Sequence, residues 1–422
     1  MTIQEQNQFL TQRRWRVLAA CCITNLCLGA PYAWSVFAGP LAEHLNALHG
    51  TAMTASDLAL AFSFSSSLTF ITMIAGGYLE KKIGARRIIF AGVILFGIGF
   101  LVCGMARSVL AVIFGFGVIG GLANGLGYVC TVSTAVKFFP DKKGLIGGIS
   151  TASYGISSVI IPPIADALNR SVGISSAFTI FGLVIIVLGG LCSLFILNCP
   201  DDYTPTGWNG GSSDAAGTSR DMTALQMLAS PIFYVMLAMM FIGATIGLMM
   251  ISETAAIAQT MLGMSSSAAA LIVSTYALFN TGSRIVVGWI SDKIGRIRTI
   301  TYVLVLMVLS LVAIYLSGLN GNTFLFRAGI CLIGFSYGSF MGIYPAFTSD
   351  QFGVKYSALN YGILFIGFSL AGVVGPLIMQ KIFSKFGSYR PSFPIAIVFA
   401  LIGIALTFLY RAVNRKLAQK SA

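Results

Sequence analysis

The sequence predicts an all-α membrane protein with twelve transmembrane helices in two pseudo-symmetric six-helix bundles. Three observations predict it. Of the 422 residues, 56% are hydrophobic and only 9% are charged, whereas soluble domains carry about 25% charged residues. The apolar residues form continuous runs of the ~20 residues that a spanning helix needs, and they do not alternate as barrel strands do. Finally, the sequence that follows the second run reappears, altered, after the eighth.

The runs of the first half lie near 17–41, 54–79, 86–106, 108–138, 144–168 and 172–198. Those of the second lie near 231–258, 266–291, 298–317, 323–348, 356–384 and 391–410. The first run follows a polar start, Met1 to Arg16, and no A-x-A-type site follows a short core, so it reads as a span and not as a signal peptide. The second run leads into Gly77-Tyr78-Leu79-Glu80-Lys81-Lys82-Ile83-Gly84-Ala85-Arg86-Arg87. The eighth leads into Gly288-Trp289-Ile290-Ser291-Asp292-Lys293-Ile294-Gly295-Arg296-Ile297-Arg298. Gly117, Gly121 and Gly125 punctuate the fourth run, and Gly334, Gly338 and Gly342 the tenth; small residues at this spacing let helices approach closely. Between the sixth and seventh runs, Asp201, Asp202, Gly210, Gly211, Ser212, Ser213 and Asp214 give the composition of a flexible linker. The expected organisation is therefore a bundle over 1–198, a cytoplasmic linker over 199–230 and a second bundle over 231–422. Repeats of six parallel-related helices are a transporter architecture.

A net charge of +13 invites a nucleic-acid reading, but the basic residues stand in short loops, where they act as topology signals. Arg107, Arg170, Arg327, Lys381, Lys385 and Arg390 fall in one set of loops, and all other loop and tail Lys and Arg fall in the opposite set. That bias places both termini in the cytoplasm of a multi-pass inner-membrane protein. The expected partners are the lipid bilayer and a small organic anion, with protons as a further option; no nucleic acid is expected, and the chain is expected to be a monomer.

Other chemistries lack their residues. The eight cysteines lie in or beside apolar runs without C-x-x-C spacing and read as small packing residues. The two histidines, His44 and His49, share one loop, so no metal site or intramembrane histidine relay is expected. There is no H-E-x-x-H, no pair of intramembrane aspartates and no P-loop, so neither an enzyme, a cofactor nor primary ATP-driven pumping is expected.

One residue departs from this apolar economy. Arg284 is the sole charge between Ala268 and Ile290. Arginine does not deprotonate in proteins, and a charge at the bilayer centre costs roughly 3 kcal/mol on insertion scales. Such a residue normally faces the bundle interior or a wet cavity and has a partner. None of the thirteen acids lies at its depth, which leaves an exchangeable anion as the partner; a structural alternative has the guanidinium capping carbonyls of a broken helix. Tyr276, Asn280 and Arg284 share a helix face at four-residue steps. Candidate companions are Asn124 with Tyr128 in the fourth run, Tyr337 with Tyr344 in the tenth, Tyr32 with Trp34 in the first, and Tyr154 in the fifth, each with packing as its alternative. Glu253, roughly 30 Å along the seventh run by helix rise, Lys381 at the end of the eleventh and Asp292 after the eighth are gating or coupling candidates.

The two loop segments resemble the G-x-L-x-D-R-x-G-R-R signature of the major facilitator superfamily. The second copy is a close match; in the first, Lys81 stands at the acidic position and Glu80 one residue earlier. Gly29-Ala30-Pro31-Tyr32-Ala33-Trp34-Ser35, Phe138-Phe139-Pro140-Asp141-Lys142-Lys143-Gly144, Asn360-Tyr361-Gly362 and Asn280-Thr281-Gly282-Ser283-Arg284 resemble motifs of the oxalate/formate antiporter family. The last is also similar to the D-x-x-x-R of animal monocarboxylate transporters, with Asn280 in place of the acid. The resemblance implies a secondary active transporter of small carboxylates, working by alternating access as an anion antiporter or a proton-coupled symporter, with Arg284 as the carboxylate ligand. Oxalate transporters of that family carry a second cation where this chain has Phe368, so monoanions such as lactate, pyruvate, glyoxylate or formate are expected ahead of oxalate. A carrier of a different small solute, or a non-transporting sensor on the same fold, is the alternative.

Overall fold

The computed structural model of the protein describes residues 2–208 and 221–421. Among the described residues twelve helical segments are long and apolar enough to cross a membrane, and the regular structure is entirely helical. The first extends beyond its apolar run at both ends, from Ile3 to His49. A reciprocal cap explains the early start: Thr2 Oγ1 accepts from the Glu5 amide at 3.2 Å, and the Glu5 carboxylate accepts from the Thr2 amide at 2.8 Å.

Three spans are broken, which their apolar runs do not announce. Span 1 divides at Gly29 into helices Ile3–Leu28 and Trp34–His49, joined by a tight 3-10 turn, Ala30–Ala33, that contains Pro31. Span 5 divides into Lys143–Gly155 and Ser157–Val172, and span 11 into Ser357–Leu364 and Ile366–Phe386. Spans 4 and 6 stay continuous but widen into π-helix over Ile113–Gly120 and Ile185–Gly189. Spans 2 and 8 both stop at the glycine of the repeated loop: Gly84 has φ 88° and Gly295 φ 90°, a region that favours glycine over any residue with a Cβ.

Contacts gather the chain into two units. The first comprises Met1–Asp141, Ser153–Gly210 and Tyr356–Ile363; the second comprises Lys142–Ala152, Gly211–Lys355 and Leu364–Ala422. The opening residues of span 5 thus pack with the second unit, and those of span 11 with the first.

Each unit uses its glycine row in the same way. In the first, a Cβ on Gly117, Gly121 or Gly125 would lie 3.0, 2.7 or 1.9 Å from the carbonyl oxygen of Ala61, Ser65 or Thr69 of span 2. In the second, a Cβ on Gly334, Gly338 or Gly342 would lie 2.8, 1.9 or 2.4 Å from that of Tyr276, Asn280 or Arg284 of span 8. The repeat therefore matches Ala61-Ser65-Thr69 to Tyr276-Asn280-Arg284, and only the second copy of this row carries a charge.

Of the expected flexible linker over 199–230, residues 209–220 lie outside the described residues. The described flanks are tied down. Asp201 pairs with Lys81 at 2.5 Å, and the Tyr203 hydroxyl lies 3.2 Å from that of Thr11. Asp221 accepts from the Lys355 amide at 3.1 Å, and a capping box of Thr223 and Gln226 starts the short helix Ala224–Ala229. The departure of the first loop copy from the signature has a counterpart here: Glu80 is buried and pairs with Lys137 at 2.7 Å, while Lys81 turns to Asp201.

Candidate functional site

Span 8, Ser266–Ile294, starts on the cap of Ser265, whose side chain accepts from the Ala268 amide. One face, with Tyr276, Asn280, Arg284, Val287 and Ser291, is buried, while Leu278, Phe279, Ile285, Val286 and Trp289 are exposed on the opposite side. That division follows from the 3.6-residue period of the sequence. The Arg284 side chain is turned inward, with 5% of the residue's surface exposed. Its Nη1 donates to the Thr151 carbonyl at 2.7 Å and its Nη2 to Asn280 Oδ1 at 2.8 Å. Among the described residues no acidic side chain forms an ion pair with it.

Two buried donors at this point have no hydrogen-bond partner among the described residues, Arg284 Nε and Asn280 Nδ2. An unsatisfied buried donor costs about 1–3 kcal/mol, more when it is charged. Both belong to one face of one helix, and a guanidinium Nε is half of the fork that takes a carboxylate side-on. The chemistry of this donor set fits a carboxylate.

Thr151 reaches the site through its backbone. It lies in the last turn of helix Lys143–Gly155, the first part of broken span 5. A helix C-terminus carries partial negative charge, so the guanidinium meets the negative end of this helix dipole. Span 8 also holds the other end of the same helix. Asp292 accepts from the Gly144 and Leu145 amides, both at 2.8 Å, placing a negative charge at the positive helix end. Asp292 is itself paired with Arg296 at 2.7 Å, and Asp350 joins Arg296 at 2.9 Å and Lys143 at 2.8 Å. Opposite charges eight positions apart on span 8 thus clamp the two ends of one short helix.

Tyr276, Tyr344 and Glu253 have other partners. Tyr276 is fully buried and donates to the Gly247 carbonyl at 3.0 Å; its ring lies 6.5 Å from that of Tyr337. Tyr344, also fully buried, donates to the Met236 carbonyl at 2.9 Å and stacks on Phe340. Glu253 is half-buried and accepts from the Tyr389 hydroxyl at 2.9 Å. Burial and that carboxylate hold the Tyr389 phenol up at about 12. Lys381 is exposed near the end of span 11. Phe368 packs on Phe365, ring centroids 4.6 Å apart, beside the break in that span.

In the first unit, Asn124 donates to the Leu28 carbonyl at 2.7 Å, at the point where span 1 breaks. It also lies 3.3 Å from the Tyr154 hydroxyl. Tyr154 presents its ring edge-on to Tyr128 at 4.8 Å and to Tyr32 at 5.6 Å. Asn124, Tyr128, Tyr154 and Tyr32 are thus brought together beside the breaks of spans 1 and 5, where Ser157 Oγ donates to the Gly29 carbonyl at 3.0 Å. Trp34 is set apart from them, 4.3 Å from the Phe116 ring and 6.4 Å from that of Phe62. Thr151 escaped the sequence reading because a main-chain carbonyl has no side-chain signature.

The chain matches the family model of the Major Facilitator Superfamily over residues 19–376. It is 32% identical to the uncharacterized MFS-type transporter YhjX of Escherichia coli (strain K12), over 85% of this chain and 86% of that protein. It is 28% identical to the oxalate:formate antiporter of Oxalobacter formigenes, over 97% of this chain and 94% of that protein. Among solved structures, the human organic anion transporter MFSD10 (TETRAN) superposes with a TM-score of 0.72 at 14% identity, covering 93% of this chain and 99% of that one, a likeness of fold. Twelve apolar helices, the repeated loop after spans 2 and 8 and the match over most of the chain's length lead to one assignment: this multi-pass membrane protein belongs to the Major Facilitator Superfamily.

Proposed function

We propose that the protein is a secondary transporter of small monocarboxylates, in which Arg284 binds the carboxylate and Asn280 both positions the guanidinium and adds a donor. The observation that carries this reading is the pair of buried, unpartnered donors, Arg284 Nε and Asn280 Nδ2. A carboxylate oxygen on each would satisfy both and neutralise the arginine. The similarity to an oxalate:formate antiporter agrees with the substrate class. Both termini are assigned to the cytoplasm of the inner membrane, the organisation to two six-helix bundles over 1–198 and 231–422, and the working form to a monomer moving its cargo by alternating access.

The arginine also bears on coupling. Among the described residues its fixed charge is met by neutral dipoles, the Thr151 carbonyl and the Asn280 amide. Reorienting an empty, positively charged site across the bilayer is unfavourable, whereas exchanging one anion for another avoids that step. Exchange is therefore the favoured mode, with co-transport of the substrate's own proton as the second. Counterflow in proteoliposomes with labelled lactate, pyruvate, formate and oxalate, with and without a pH gradient, tests both points. The expected result is exchange of the monoanions without a gradient. Failure of all four would assign the fold to another solute or to a sensor.

One fixed cation balances one carboxylate. Phe368→Lys is expected to bring oxalate binding up by about tenfold relative to lactate, on the order of 1.4 kcal/mol for one added opposite charge. Ligand-dependent shifts of the melting midpoint measure it. An unchanged oxalate-to-lactate ratio would remove the argument from charge number.

A further inference from the structure

We propose that the first unit holds an anionic glycerophospholipid in a groove between spans 3 and 6, with one acyl chain along the groove and the phosphate on Arg86. The groove has a volume of about 310 Å³ and is walled by Phe90 and Ile94 of span 3 and by Ile186, Gly190, Leu191 and Leu194 of span 6. Phe90, Leu191 and Leu194 are exposed along it. Gly190 is buried in its wall, and a Cβ there would be in ordinary contact with Ile94 Cδ1 at 3.6 Å and Phe90 Cε2 at 3.9 Å. The adjoining stretch of span 6, Ile185–Gly189, is π-helical.

Register connects this apolar groove to a charge. Arg86, Phe90 and Ile94 follow at four-residue steps, so they occupy one face of span 3. From Arg86 to Ile94 the helix rises ~12 Å, close to the ~15 Å of one leaflet's hydrocarbon. The groove thus matches one acyl chain of one leaflet, with a guanidinium at headgroup level. The mouth is fixed by the chain returning from span 6, where Asn198 Oδ1 accepts from the Arg86 amide at 3.2 Å. Arg86 and Arg87 are both exposed, and neither forms an ion pair among the described residues.

Basic pockets beside transmembrane helices bind anionic headgroups. A zwitterionic lipid would fill the groove but carries an ammonium beside its phosphate and so gains less from the cation, and free phosphate would use the cation without the groove. Of the three, the anionic glycerophospholipid uses both in full. The assignment is independent of which solute the protein carries.

The test uses the full-length protein in detergent with dioleoyl phosphatidylglycerol, dioleoyl phosphatidylcholine or inorganic phosphate, read by native mass spectrometry and by the melting midpoint. The expected result is retention of phosphatidylglycerol over phosphatidylcholine by about fivefold, the effect of one Arg near an anionic headgroup. Gly190→Leu is expected to lose both lipids; a Cβ there makes only ordinary contacts, and the melting midpoint of the lipid-free variant checks that the longer side chain is accommodated. Arg86→Gln is expected to keep lipid but lose the preference. Equal retention of the two lipids by the wild type, or unchanged retention in Gly190→Leu, would overturn the proposal. So would stabilisation by phosphate matching that by phosphatidylglycerol, or dimers of the chain forming in place of lipid adducts.

Discussion

Arg284→Gln is expected to eliminate carboxylate counterflow while leaving a folded, inserted protein. The substitution removes the Nε donor and the Nη2 contact that positions Asn280, so both hydrogen bonds proposed for the carboxylate are lost. Each is worth about 1.5–3 kcal/mol, so their joint loss lowers kcat/KM by more than about a hundredfold. Folding is affected less, because two terms oppose one another. The Thr151 carbonyl and Asn280 Oδ1 lose their donor, but a charge that costs roughly 3 kcal/mol to place at mid-bilayer is gone. Arg284→Lys separates charge from geometry. An ammonium keeps the charge but lacks the planar fork, and it cannot hold Thr151, Asn280 and a substrate in the same arrangement. It too is expected to be inactive. Counterflow and the melting midpoint, measured on the same preparations, distinguish a carboxylate ligand from a helix-capping cation. A glutamine variant that melts early yet exchanges lactate at the wild-type rate would make Arg284 a structural residue only.

Gly338→Val is expected to lose more stability than Arg284→Gln, Arg284→Lys or Phe368→Lys. A Cβ at that position would lie 1.9 Å from the Asn280 carbonyl oxygen and 2.3 Å from Ser283 Oγ. The first of these is backbone, so span 10 must move away from span 8. Overpacking of a tight interior typically costs 1–3 kcal/mol; with a β-branched side chain against a main-chain oxygen, about 3 kcal/mol or more is expected. The same displacement takes Asn280 and Arg284 from their positions, so any substrate-induced rise in the melting midpoint should vanish too. Gly282→Ala is the control. It lies on the exposed side of span 8 with nothing within 4 Å of its Cβ position, and it should be neutral or gain up to about 1 kcal/mol from helix propensity. Equal melting of Gly338→Val and Gly282→Ala would mean that spans 8 and 10 are not in backbone contact.

The twelve spans were legible because hydropathy is a local property, summed over ~20 neighbouring residues. The repeat was legible because Gly84 and Gly295 stop two helices by the same backbone geometry, and because two glycine rows meet two carbonyl rows. Arg284 stood out for its charge alone, and Tyr276 and Asn280 followed from the helical period. Other readings separated on contact. Tyr276 and Tyr344 share the polar character of Asn280, yet their hydroxyls go to carbonyls of span 7. Trp34 follows Tyr32 closely in sequence but packs on different rings.

The sequence by itself determined how many helices there are, where the chain repeats and which residue brings a charge into the apolar interior. Tertiary structure alone decided what meets that charge. Breaks in spans 1, 5 and 11 expose main-chain groups that carry no residue-type signal, and one of them, at Thr151, reaches Arg284 from more than a hundred positions away. Asp292 at one end of that helix and Arg284 at the other act on its dipole, which exists only once the backbone is folded. A charge can be read from a letter; the dipole that partly answers it is a property of the assembled helix.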